Sequence, residues 1–275
     1  MEQKVILITG ASSGMGYHAA RMLVQKGHRV YGAARRVDKL SELEQYGVVP
    51  LHMDITREED ISRAVESIIV KEQRIDILIN NAGYGYFGAI EDVSIEDAKH
   101  QFEVNIFGLA RLTQLVLPYM RCQRSGRIIN TASIAGHVTF LFGAWYNATK
   151  YALEAFSDAL RMEVKPFGID VVIIEPGAIG TDWGHIAAEH LKESSQGGAY
   201  QQDAMRVAQA LDRMYNSSLL TKPEKISRIM VNAALTRCPR PRYLVGLGAK
   251  PMRLLHAVLP TRLWDLIVRH YMLKL

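Results

Sequence analysis

Cysteine is scarce in this chain: Cys122 and Cys238 are the two present in 275 residues. Two thiols make neither a disulfide framework nor the spacing of a metal site. They fit a reducing compartment, so a cytoplasmic protein without a bound metal is expected. Long hydrophobic runs are missing as well. No apolar stretch reaches the roughly 20 residues that a spanning helix needs. The start, Met1-Glu2-Gln3-Lys4, has no charged segment, apolar segment and cleavage site in series, so no secretory signal is expected. Positive charge is present but not concentrated. The net charge of +5 is spread along the chain rather than gathered in a stripe, which speaks against nucleic-acid binding. Linkers, internal repeats and low-complexity segments are absent too. One domain over residues 1–275 is therefore expected, with a first part to about residue 181 and a covering part from about 182 to 275.

What the chain does have is alternation. Val5-Ile6-Leu7-Ile8 is a short apolar run, as a strand buried on both faces requires. A helical pattern follows from about Tyr17 to Lys26, stopped by Gly27. Further strands are expected at Arg29 to Ala34, Val48 to Met53, Ile75 to Ile79, Gly126 to Thr131, Asp170 to Glu175 and Tyr243 to Val245. Helices are expected between them, including one from Ile95 to Met120, one from Ala144 to Val164 and an interrupted one from His185 to Met214. Strands alternating with helices predict an α/β fold, a doubly wound parallel sheet of the Rossmann type with helices on both faces. Sites in such sheets lie at the carboxyl ends of the strands. The segments Gly10 to Gly16, Asp54, Asn80 to Gly83, Ser133 and Pro176-Gly177 all fall there.

Three of these features carry chemistry. Gly10-x-x-x-Gly14-x-Gly16 after a buried strand and before a helix suits a pyrophosphate, because glycine lets the backbone approach and the helix N-terminus favours an anion. Ser12 and Ser13 add hydroxyl donors. The second strand ends in Ala34-Arg35-Arg36 with no acid. An acid there would receive a ribose 2′-hydroxyl, whereas arginine accommodates a 2′-phosphate, so NADP is expected over NAD. Of the two arginines, Arg35 is the stronger candidate. Finally, Tyr146 and Lys150 share a helix face. A phenol has a pKa of about 10, and a fixed ammonium beside it favours the phenolate, bringing it towards operating pH.

Taken together, Thr9-Gly10-x-x-x-Gly14-x-Gly16, Asn80-Asn81-Ala82-Gly83, Asn105, Ser133, Tyr146-x-x-x-Lys150 and Pro176-Gly177 with Thr181 resemble the short-chain dehydrogenase/reductase family in its single-domain form. The Ser133 to Gly136 run and the basic C-terminal extension resemble its 17β-hydroxysteroid dehydrogenase-like and retinol dehydrogenase-like branch. The resemblance implies catalytic roles for four residues. Tyr146 exchanges the proton, Ser133 binds the substrate oxygen, Lys150 lowers the Tyr146 pKa and holds the nicotinamide ribose, and Asn105 positions a water. It implies cofactor contacts from Gly10, Ser12, Ser13, Gly14, Met15, Gly16, Asp54, Ile55, Asn81, Ala82, Gly83, Pro176, Gly177, Ile179 and Thr181. Met15 stands where a branched aliphatic is usual, and Trp145 where a smaller residue is common. The residues alone leave simpler readings open: Ser133 bonding backbone, Asn105 tying two helices, Asp54 capping the next helix. His137 is expected to be satisfied by backbone.

The substrate is expected to be a small molecule, an apolar ketone or alcohol of steroid-like or retinoid-like size, because Tyr84, Tyr86, Phe87, Phe140, Leu141, Phe142, Trp145 and Trp183 offer an aromatic lining. Gly197-Gly198 is a candidate lid hinge. The stretch after Pro251 is basic and amphipathic. It is expected to dock over the substrate mouth, with peripheral membrane contact as the lesser alternative. A homodimer or homotetramer is implied by the resemblance. Two other readings are a catalytically silent dinucleotide-binding sensor or scaffold, opposed by the intact Ser133, Tyr146 and Lys150, and a sugar-nucleotide epimerase, opposed by the short substrate region.

Overall fold

The computed structural model describes residues 2–274. The first strand, β1 (Val5–Thr9), is buried throughout. Its side chains divide by the two-residue period of a strand. Ile6 and Ile8 enter the core on one face, and Val5 and Leu7 enter the core on the other. A strand apolar on both sides needs helices on both sides.

The chain supplies them by moving outward first. From β1 it passes through α1 (Gly14–Gln25), β2 (Arg29–Ala34), α2 (Val37–Glu44) and β3 (Val49–His52). It then returns through α3 (Glu58–Glu72) to β4 (Ile77–Asn80) on the other side of β1. From there α4 (Ile95–Phe102) and α5 (Gly108–Gln123) lead to β5 (Gly126–Thr131), and α6 (Ala144–Val164) leads to β6 (Ile169–Pro176). After α7 (Trp183–Ser194), α8 (Gln201–Tyr215) and α9 (Pro223–Leu235) come β7 (Arg242–Val245), α10 (Ala249–Val258) and α11 (Thr261–Lys274). The strands lie in the order β3-β2-β1-β4-β5-β6-β7, every neighbouring pair parallel. Val5 faces Arg29 on one side of β1 while Ile6 faces Ile77 on the other. This is the doubly wound Rossmann sheet, and its reversal of strand order opens a crevice between the carboxyl ends of β1 and β4.

Two details differ from the sequence expectation, and one bears it out. The long helix from Ile95 is not regular: Glu103–Phe107 forms a π-helical turn, and Asn105 sits inside it, buried. Such turns widen the helix locally and occur at functional sites. The interruption expected in the helix from His185 to Met214 is present and divides it into α7 and α8. The break contains Gly197 at φ +74°, a left-handed conformation that glycine adopts without strain. The basic C-terminal stretch is also two helices, divided at Pro260. That residue has no amide hydrogen to continue a helix, and its carbonyl accepts from Leu263 N and Trp264 N.

Trp264 fixes this last pair to the body. It is buried against Ile134, Val138 and Ala249, joining α11 to the loop after β5. Burying about 200 Å² of ring at about 25 cal/mol per Å² contributes up to about 5 kcal/mol.

Candidate active site

The glycine turn is built to be touched. Gly10 and Gly14 have φ values of +65° and +54°. A Cβ on Gly16 would strike the Gly10 carbonyl oxygen and the Asn81 amide. Asn81 holds the turn from the side, its Nδ2 donating to Thr9 O at 3.2 Å and Gly10 O at 3.3 Å. Thr9 Oγ1 accepts from Asn81 N and Ala82 N in return. Helix α1 then begins with no side-chain cap and no acid in its first turn. Its first amides therefore keep their donors for an anion. The Asn81 Oδ1 atom is buried without a partner, an acceptor left over beside the turn. These features fit a dinucleotide: open amides for phosphates and an acceptor for a ribose hydroxyl.

The arginines after β2 both lie exposed on this side. It is Arg36 that reaches the turn, its Nη2 lying 3.4 Å from Ser12 Oγ and 3.3 Å from Ser13 Oγ. Arg35 lies near the Asp54 carboxylate. Although burial opposes it, the Asp54 pKa is lowered, by hydrogen bonds from Thr56 and then by Arg35. Asp54 does not cap α3, whose N-cap position is Arg57; its Oδ1 accepts from Thr56 N and Thr56 Oγ1. Ile55 is buried where α5 closes on its carbonyl, an approach that Gly108 allows by lacking a Cβ.

At the opposite wall of the crevice stand Ser133, Tyr146 and Lys150. Ser133 follows β5 in extended conformation, and its Oγ accepts from Ala135 N at 3.1 Å. Tyr146 and Lys150 project from α6 and are buried. Here burial overrides the sequence expectation. It pushes the Tyr146 phenol up to about 12, with the Ser133 hydroxyl pulling the other way, instead of a neighbouring ammonium pulling it down. The Lys150 ammonium lies 5.8 Å from the centre of the Tyr146 ring and donates to Thr131 O at 2.9 Å. Burial brings its pKa down to about 8, opposed by the Glu154 carboxylate.

Asn105 stands behind this wall. Its Oδ1 accepts from Tyr84 N at 3.1 Å, and its Nδ2 donates to Tyr84 O and Thr149 Oγ1. Thr149 Oγ1 in turn donates to Tyr146 O. The side chain expected to hold a water thus makes its bonds to the loop after β4 and to α6. The loop backbone at Tyr84 and the Thr149 hydroxyl satisfy it.

All three groups face one apolar cavity of about 560 Å³. Met15, Asn81, Gly83, Pro176, Gly177, Ile179 and Thr181 line it as well, so ten of the expected site residues share this space. Trp183 stands against Tyr146 with ring centres 4.9 Å apart, and Phe87 lies 6.0 Å from Tyr146. Of the expected aromatic lining, Tyr84, Phe87, Phe140 and Trp183 reach the cavity, whereas Tyr86, Leu141, Phe142 and Trp145 do not. Tyr86 stacks on His190 instead, at 4.3 Å.

A family model described as short chain dehydrogenase matches residues 4–192. A relative from Helicobacter pylori (strain J99), described as a "probable short-chain type dehydrogenase/reductase", is 35% identical over 96% of both chains. The chain belongs to the short-chain dehydrogenase family. It is therefore a nicotinamide-dependent oxidoreductase. A 3-ketodihydrosphingosine reductase of Bacteroides thetaiotaomicron is 43% identical over 182 residues, 66% of each chain. The crystal structure of a serine dehydrogenase in its closed form with NADP+ superposes with a TM-score of 0.76 and 27% identity, covering 88% of this chain and 94% of the other.

The C-terminal stretch lies over the site as the sequence led one to expect, but which of its residues form the far wall was missed. Met252 and Leu255 of α10 and Trp264, Ile267, Val268, Tyr271 and Met272 of α11 line the cavity. The only signal was their apolar spacing in a basic stretch. Also missed was a buried ion cluster under the floor. Glu175, fully buried at the end of β6, meets Arg242 Nε at 3.0 Å, His137 Nε2 at 3.3 Å and Arg253 Nη1 at 3.6 Å. Glu154 joins through Arg242 at 3.2 Å, and burial with the Glu175 charge raises its pKa. His137 thus faces carboxylates, not the backbone expected for it. Arg253 comes from α10, so the cluster ties the cover to the floor beneath Ser133.

Proposed function

We propose that this chain is an NADP(H)-dependent carbonyl reductase and alcohol dehydrogenase, acting on an apolar ketone or secondary alcohol of steroid, retinoid or long-chain lipid size. The observation that carries the reading is the placement of Ser133, Tyr146 and Lys150 on one wall of an apolar cavity of about 560 Å³. When bound, the nicotinamide supplies or takes up the hydride. Tyr146, held as the neutral phenol by burial, gives its proton to the substrate oxygen. Ser133 Oγ donates to the same oxygen and stabilises the charge that develops there. Lys150, charged at neutral pH, holds Thr131 O and the nicotinamide ribose. Asn105 fixes the loop carrying Ala82 and Gly83 against α6. A phenol that starts protonated can act as the acid when the ketone is reduced.

The cofactor is NADP(H). Gly10, Ser12, Ser13, Gly14, Met15 and Gly16 surround the phosphates, with Asn81 on the adenosine ribose and Asp54 and Ile55 flanking the adenine. Arg36, with Arg35 beside it, receives the 2′-phosphate. Pro176, Gly177, Ile179 and Thr181 border the nicotinamide. The solved serine dehydrogenase with NADP+ and the arginines after β2 support this choice. The 3-ketodihydrosphingosine reductase supports a keto lipid as substrate. The chain acts as one domain in the cytoplasm, as a homodimer or homotetramer. Exposed Phe107, Tyr151 and Met162 offer apolar contact on the helices that carry Asn105 and Tyr146.

The test is NADPH oxidation against a panel of steroids, retinoids, long-chain ketones and sugars, with NADPH and NADH titrated separately. The expected result is turnover of apolar ketones with tighter binding of NADPH. Turnover confined to sugars, or equal affinity for NADH, overturns the assignment.

A further inference from the structure

The helix pair α10–α11 carries a run of exposed apolar side chains. Leu254, Leu255 and Val258 of α10 are exposed, as are Leu263, Leu266, Ile267 and Tyr271 of α11. Leu254 and Leu266 are each 66% exposed, far beyond what a side chain packed on its own domain shows. The spacing 263, 266, 267 and 271 puts the α11 set on one helical face. An apolar set of this extent marks a contact surface.

Charge decides what covers it. Between Ala249 and Lys274 stand five cations against the single acid Asp265; Arg253 and Arg269 pair with Glu175 and Asp203 of the body, which leaves Lys250, Arg262 and Lys274 to the surface. A second copy of this chain would bring the same excess of positive charge to the contact, and like charges oppose one another there. An anionic surface is complementary. The cations flank apolar side chains, as in helices that lie in the plane of a lipid headgroup layer. Neither helix spans: among the described residues no helix is long and apolar enough to cross a membrane.

The face is also continuous with the site. Leu255, Ile267 and Tyr271 are exposed and line the cavity at the same time. They form an apolar rim between the outer face and the cavity that holds Tyr146. Trp264, one turn from Ile267 and two from Tyr271 on the cavity side of α11, is buried on the body and holds the rim in place.

We propose that α10 and α11 lie on an anionic lipid surface and that the cavity opens into it, so that the apolar substrate enters from the lipid. The proposal rests on the reading of the cavity as the substrate site, but its first test does not require turnover. Full-length protein is floated with vesicles of phosphatidylcholine containing 30 mol% phosphatidylglycerol, and with vesicles of phosphatidylcholine alone. Leu254→Asp and Leu266→Asp are the variants. Both side chains are exposed and lie outside the cavity lining, and unchanged NADPH binding and melting temperature check the fold.

The expected result is binding to the anionic vesicles, at least tenfold weaker to the neutral ones, and at least tenfold weaker for either aspartate variant. Absence of the wild type from the anionic vesicles overturns the proposal, as does equal binding by the variants. A concentration-dependent dimer abolished by Leu266→Asp also overturns it, by making a second copy the occupant. A second arm compares turnover of an apolar ketone carried in the same vesicles with that of a short water-soluble ketone. Leu266→Asp is expected to lower only the former. Failure of both ketones in the wild type, with vesicle binding intact, counts against the substrate reading and leaves the docking surface standing.

Discussion

In the glycine turn, backbone does the recognising; in the C-terminal cover, side chains do. Gly10 and Gly16 contribute open amides and close approach, and Asn81 and Thr9 lock that backbone with four hydrogen bonds. Met252, Trp264 and Met272 contribute apolar surface and no hydrogen bond to the cavity. A backbone device has one geometry, so it tolerates almost no added atom. An apolar wall has many arrangements of nearly equal energy, so it tolerates exchange and adapts to different ligands. The first region suits an invariant cofactor, and the second suits a substrate class.

The comparison breaks most readily at Gly16. Gly16→Ala forces a methyl group against the Gly10 carbonyl and the Asn81 amide. Overpacking of this kind costs about 1–3 kcal/mol, so NADPH binding weakens by up to about 100-fold at tenfold per 1.4 kcal/mol. A fluorescence titration with NADPH checks it. Unchanged affinity would mean that the turn is looser than its contacts indicate.

The reacting wall should show itself in pH. Lys150 has its pKa lowered to about 8, so it carries its charge below that pH and loses it above. Reduction should therefore fall as pH rises through about 8, roughly tenfold per unit beyond it if the ammonium is required. Tyr146, raised to about 12, stays protonated throughout and sets no limb in this range. A profile of kcat/KM from pH 6 to 10 that stays flat contradicts the requirement for the ammonium.

The smallest effect is expected in the cover. Met252→Ala removes apolar contact worth about 1 kcal/mol per buried methylene, raising KM for an apolar ketone by roughly three- to tenfold. Its kcat should change less than twofold, because the side chain touches no reacting atom. A fall in kcat with constant KM would move Met252 from the binding wall to the chemistry.

The two regions also differ in how far they could be read from the sequence. Val5 to Ile8 announced a doubly buried strand, and glycines at 10, 14 and 16 announced the turn, because local backbone chemistry dictates both. Ser133, Tyr146 and Lys150 were legible as residues at one sheet edge, and the cavity gathers them there. Their protonation was not legible. It depends on burial, which is a property of the assembled wall, and it turns Tyr146 up instead of down. The bonds of Asn105 were not legible for a related reason: the π-helical turn that carries it has no local sequence mark. The Glu175 cluster joins β6, β7, α6 and α10, so no spacing in the chain could reveal it. Arg253 and Arg269 read as surface charges, yet one pairs with Glu175 and the other with Asp203 of α8.

The most direct test of the account is NADPH oxidation by Tyr146→Phe with an apolar ketone that the wild type reduces. The phenol proton is the one group the account places in the bond-making step itself. Loss of general-acid catalysis predicts a fall in kcat of about 10²- to 10⁴-fold, with NADPH affinity within twofold of the wild type. Turnover near the wild-type rate would contradict the assignment of Tyr146 as the acid, and with it the account of the site.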